Sequence, residues 1–166
     1  MNTVDRDNEK HDVVNELFSE NYILQSPDQI RESKIGVCWD QVELERDILK
    51  DCKTKSYFMA YYDGEDCPSY TFLVVERDGS YYWCEHSWNI YRGIHRYDSL
   101  GELLKDVSNK QVEYIKGLGI TDFNIEQFYM YEYGKPKYGI SATEFYRHCE
   151  GGDEVDVGAL FSYVFV

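Results

Sequence analysis

A chain of 166 residues is long enough to bury one core and too short for two ordinary domains, so no disulfide or metal staple is needed for folding. With 31 Asp and Glu against 17 Lys and Arg, its formal charge of −14 argues against the electrostatic attraction to nucleic acid or anionic lipid that a basic patch provides. A cationic or neutral partner is expected instead.

Taken in order, the polar, acidic start MNTVDRDNEKHD lacks the pattern of a secretory leader. Val13, Val14, Leu17 and Phe18 recur at helical spacing and predict a helix ending near Asn21. Residues 1–25 therefore read as a lead-in with one helix, and 26–166 as a single domain. Ser26-Pro27-Asp28-Gln29 is a capping box with proline at the first helical position, which starts a short helix through Ser33.

Gly36-Val37-Cys38-Trp39-Asp40-Gln41 opens the next helix, predicted to run to about Asp51. A thiol at a helix start faces unpaired N–H groups and a partial positive charge, both of which favour thiolate. Val37, Leu44 and Ile48 define its expected buried face, with Val42 and Leu49 beside them, while Glu43 and Arg46 are expected toward solvent.

Three strand-like runs follow: Ser56 to Tyr62, Tyr70 to Glu76, and Tyr81 to Trp88 after an Asp78-Gly79 hairpin signal. The unbroken apolar character of Phe72 to Val75 predicts burial on both faces. In the third run Tyr82, Cys84, His86 and Trp88 alternate onto one face. Ile94 to Asp98 is expected to return beside His86. Ser99 caps a helix carrying Leu100, Leu103, Leu104 and Val107, Ile125 to Tyr133 reads as a strand, and Ser141 caps a further short helix. Leu160 to Val166 is apolar enough to be expected as a last strand. The pattern is that of an α+β domain with a mostly antiparallel sheet. No apolar run approaches the length of a membrane span.

The chemistry-bearing set is Cys38, His86 and Asp98. An imidazole beside the thiol would take its proton and return it to a leaving group, and a carboxylate on the other ring nitrogen would fix the tautomer. His95, on the same returning strand, is the alternative third member. Trp39 and Trp88 are candidates for the cleft wall, and Gln41 for an oxyanion donor beside the Cys38 N–H.

Gly36-Val37-Cys38-Trp39 resembles the G-x-C-W nucleophile motif of the transglutaminase-like branch of the papain-like fold. His86-Ser87-Trp88 is similar to its H-x-W motif, and Tyr97-Asp98-Ser99 to its acidic segment. The resemblance covers about Ser26 to Val107. It implies a papain/transglutaminase-like core with the nucleophile helix packed against the sheet. It also implies an acyl-enzyme formed on a peptide, protein or small amide substrate and resolved by water or an amine.

Competing expectations stand beside it. A buried cysteine is ordinarily a small hydrophobe. Cys84 reads as core, or as a redox or metal partner of Cys38 and His86, although the paired ligand spacing of structural zinc sites is absent, so neither metal nor cofactor is expected. Five cysteines without a C-x-x-C pair read as reduced thiols of a cytoplasmic protein. The non-enzymatic alternative is a binding module or inhibitor on the same scaffold, using its acidic surface to capture a basic partner.

Overall fold

The computed structural model describes residues 3–4, 10–11, 22–63, 67–120 and 122–162, and its centre is a six-stranded antiparallel sheet. A short ribbon of β1 (Thr3–Val4) and β2 (Lys10–His11) precedes it. The sheet strands are β3 (Lys53–Tyr61), β4 (Ser69–Arg77), β5 (Ser80–Glu85), β6 (Gly93–Tyr97), β7 (Phe128–Tyr133) and β8 (Asp153–Val155). Their spatial order is β6-β5-β4-β3-β7-β8. The described helices are α1 (Pro27–Ser33), α2 (Cys38–Ile48), α3 (Leu100–Gly117), α4 (Ala142–Glu150) and α5 (Val157–Ser162). The α+β class expected from the sequence is the class observed. The helix expected between Val13 and Asn21 lies outside the described residues.

Strand alternation divides the core into two layers. Phe58 and Met59 are neighbours on β3, so their side chains point to opposite faces of the sheet. On the Phe58 face lie α2 and α4: the Trp39 ring sits 6.5 Å from Phe58 and stacks at 4.3 Å on Phe145, which in turn meets Tyr133 edge-on. On the Met59 face lies α3, whose Ser108 hydroxyl reaches the Met59 sulfur at 3.7 Å. The central strands are covered on both sides, and Tyr57 to Tyr61 and Tyr70 to Val75 are all buried, as the apolar run predicts.

Local chemistry sets most of the boundaries. Ser26 accepts from the Gln29 N–H while the Gln29 side chain accepts from the Ser26 N–H, and Ser141 and Glu144 repeat the arrangement at α4. Asp78 and Gly79 both have positive φ, +52° and +75°, the signature of the tight turn between β4 and β5.

Two expectations are corrected. Strand pairing in Ile125 to Tyr133 begins only at Phe128, because Asn124 caps a 3-10 turn over Ile125–Gln127. Leu160 to Ser162 are helical rather than extended, since the Asp156 carboxylate accepts from the Ala159 N–H and starts α5; residues 163–166 lie outside the described residues. The strand that does flank β7 is β8, and Gly152 admits it: a Cβ there would fall 2.2 Å from the Glu132 carbonyl oxygen.

Candidate functional site

Cys38 is the first helical residue of α2, as its position after Gly36-Val37 predicts. The helix start, however, is already occupied by an acid. Asp40, three residues past the N-cap Val37, accepts from the Val37 N–H at 2.9 Å, the Gln25 N–H at 3.0 Å and the Tyr22 hydroxyl at 2.8 Å. A carboxylate in that position uses the field that would otherwise stabilise a thiolate. Cys38 itself is 2% exposed, and burial pushes its thiol up to about 12. Thr71 beside it offsets only part of this, and the charges of Glu85 and Asp40 act in the same direction as burial.

Trp39 completes the enclosure. It is fully buried between Tyr22, Phe58, Phe145 and Tyr146, so it belongs to the core rather than to a cleft wall.

His86 lies just past the end of β5. The Glu85 carboxylate turns back to accept from the Ser87 N–H, the Ser87 hydroxyl and the Trp88 N–H, which ends strand pairing and swings the imidazole outward. Its side chain is 61% exposed. The ring's Nδ1 shares a short hydrogen bond with the Glu45 carboxylate of α2. Glu45 is 7% exposed, and burial pushes its carboxyl up to about 7 despite the opposing pull of His86. His86 in turn is held above the usual imidazole value, chiefly by that hydrogen bond. Burial of Glu45 and the bond it shares with His86 thus both favour the protonated pair.

The carboxylate beside the His86 ring is thus Glu45 and not Asp98. Strands β5 and β6 pair Tyr81 with Tyr97 and Glu85 with Gly93, so Asp98 sits at the far end of the hairpin, roughly 20 Å along the strand from the level of His86. There it is 79% exposed and pairs with Arg96 at 3.0 Å. His95 is no substitute: it lies opposite Trp83, stacks on that ring at 4.8 Å, and its Nε2 meets the Tyr91 carbonyl at 2.6 Å. The same turn that exposes His86 sends Trp88 to the Met59 face, against Tyr70 and Tyr114, away from the layer that holds Cys38. The sequence did contain the signal for Glu45, which stands seven residues after Cys38, two turns along on the same side of the helix.

The burial of α2 also differs from its apolar stripe. Ile48 is 63% exposed, whereas Glu43 is fully buried and Arg46 largely so. Arg46 holds Glu43 at 3.0 Å and donates to the Ser56 hydroxyl at 2.7 Å, and Ser56 donates to the Tyr133 carbonyl, which ties α2 to β3 and β7.

Outside this layer a groove of about 350 Å³ opens between α1, α2 and the His86 turn. Ile30, Ile35, Leu44 and Ile48 give it apolar walls, and Glu45 and His86 line it. The Gln41 Oε1 atom, another lining group, is buried without a hydrogen-bond partner. Gln41 lines this groove, and Cys38 is not among the groove's lining residues. Cys84 is buried in the sheet. Among the described residues no three His, Cys, Asp or Glu side chains are grouped to hold a metal ion, and no helix is long and apolar enough to cross a membrane.

Compared with protein-family models, with curated proteins and with solved structures, the chain matches none of them.

Proposed function

We propose that this domain is a non-catalytic binding module, or inhibitor, that captures a basic partner through its acidic surface. The observation that carries the reading is the enclosure of Cys38. A thiol that is 2% exposed and pushed up to about 12 supplies no nucleophile near neutral pH. The charge of −14 points the partner toward a cationic surface. Five free cysteines accord with a reducing, cytoplasmic setting.

The second reading is cysteine-dependent acyl chemistry on a papain/transglutaminase-like scaffold, either hydrolysis of an amide or transfer to an amine. It is favoured by Cys38 opening a helix packed on the sheet and by an imidazole whose Nδ1 is fixed by a carboxylate, the arrangement that general-base catalysis uses. That reading requires the thiol to be reached and ionised.

Alkylation of the native protein by iodoacetamide, mapped by mass spectrometry, separates the two. The binding-module reading expects exposed Cys52 to be modified first and Cys38 only on unfolding. Modification of Cys38 ahead of Cys52, slowed by His86→Ala, would establish the enzyme instead.

A further inference from the structure

The groove between α1, α2 and the His86 turn holds an unmade hydrogen bond. Glu45 shares its bond with His86, and the Arg31 guanidinium is held by Asp28 at 3.0 Å and Asp47 at 2.6 Å. The Gln41 Oε1 atom has no partner, and among the described residues it is the one buried side-chain oxygen or nitrogen of the groove left so. A buried acceptor without a donor bears its desolvation cost in full, so a ligand that supplies the donor gains a bond the free protein lacks. The last torsion of a glutamine side chain is broad, and a modest rotation turns this oxygen into the space that Gln41 already lines.

The other lining groups restrict what the donor is attached to. Ile35 and Ile48 are 41% and 63% exposed, and with Leu44 they give the ligand an apolar wall. Arg31 and Lys34 bring positive charge to the same groove, which disfavours an ammonium or guanidinium as the donor. The same cations attract the face of an electron-rich ring. An apolar aromatic body, an N–H and no charge are combined in the indole of tryptophan, whose nitrogen only donates and so adds no acceptor for the groove to satisfy. A volume of about 350 Å³ lies at the small end of ligand pockets, room for one large side chain. Tryptophan is also among the residue types that most often anchor protein interfaces.

We propose that this groove seats a tryptophan side chain of a protein partner, with the indole against Ile35, Leu44 and Ile48 and its N–H donating to Gln41 Oε1. The proposal rests on the binding-module reading above and names the side chain by which the partner is anchored.

The test uses the full chain labelled with nitrogen-15 and the uncharged probe acetyl-Gly-Trp-Gly amide. Its control carries 3-benzothienylalanine, in which sulfur replaces the indole N–H with little change of shape. Saturable shifts centred on the amides of Gly36, Gln41, Leu44 and Ile48 are expected, with the control binding about fivefold or more weakly, the loss of one hydrogen bond to a buried acceptor. Gln41→Met should bring the two probes to equal affinity, and its unchanged melting temperature will show the fold to be intact. Ile48→Ser, at an exposed position, should weaken both probes alike. Equal affinity of the two probes for the wild type, tighter binding of the tyrosine or arginine version, shifts centred elsewhere, or no saturable response each overturns the indole site. Saturable, N–H-dependent binding here together with fast alkylation of Cys38 overturns the non-catalytic reading and leaves the groove standing.

Discussion

Glu45 is a carboxyl group in a nearly dry site whose one strong partner, His86, is itself half in water. Burial lifts Glu45 to about 7, and the bond to Glu45 lifts His86 above its ordinary value, so the folded protein binds protons more tightly than the unfolded chain. The sign follows from linkage. Where the native state holds more protons, stability falls as pH rises, here from the usual carboxylate range up through about 7 and beyond. Urea denaturation at pH 5 and pH 8 should show the wild type losing more stability than Glu45→Gln, by at most about 3 kcal/mol. The other acids raised by burial, Asp40, Glu43 and Glu85, remain in both proteins and cancel in the comparison. Parallel pH profiles would show that the pair holds no such proton.

Helix α2 docks through polar side chains as much as through apolar ones. Arg46 neutralises the fully buried Glu43 and reaches the Ser56 hydroxyl on β3. Arg46→Ala should therefore leave a buried carboxylate unpaired and lower stability by about 3–5 kcal/mol, while Glu43→Gln with Arg46→Met should recover most of that loss. Chemical denaturation of both variants checks this, and an Arg46→Ala loss below about 1 kcal/mol would show Glu43 to be solvated. The same helix marks the limit of what its sequence reveals. Ser26 and Ser141 carry their capping partners three residues on, and Asp78-Gly79 carries its turn, so these signals are local and were legible. Asp40, Glu43 and Glu45 are each buried by a partner remote in sequence: Tyr22 and Gln25 from before α1, Ser56 through Arg46, and His86 beyond β5. Hydropathy assigns such acids to the surface, because only tertiary contacts compensate their burial. Asp98 failed for a related reason: the hairpin was legible, but the register that carries Asp98 to its far end was not. Leu160 shows a third case, a capping Asp156 overriding apolar composition.

Across the whole molecule, helices cover both faces of the sheet, Cys38 is buried in the layer beneath α2, and a groove that Cys38 does not line opens on α1 and α2. The arrangement suits a protein that works with its surface: a formal charge of −14 over the whole chain, with the buried acids Asp40, Glu43, Glu45 and Glu85 each hydrogen-bonded inside. Whether the thiol is ionised decides between that account and acyl chemistry. The direct measurement is the pH dependence of the Cys38 Cβ chemical shift in protein labelled with carbon-13 cysteine. A shift that stays at the thiol value up to about pH 10 is the outcome this account predicts, since burial holds Cys38 near 12. A transition to the thiolate value between about pH 5 and pH 8, abolished by His86→Ala, would contradict it.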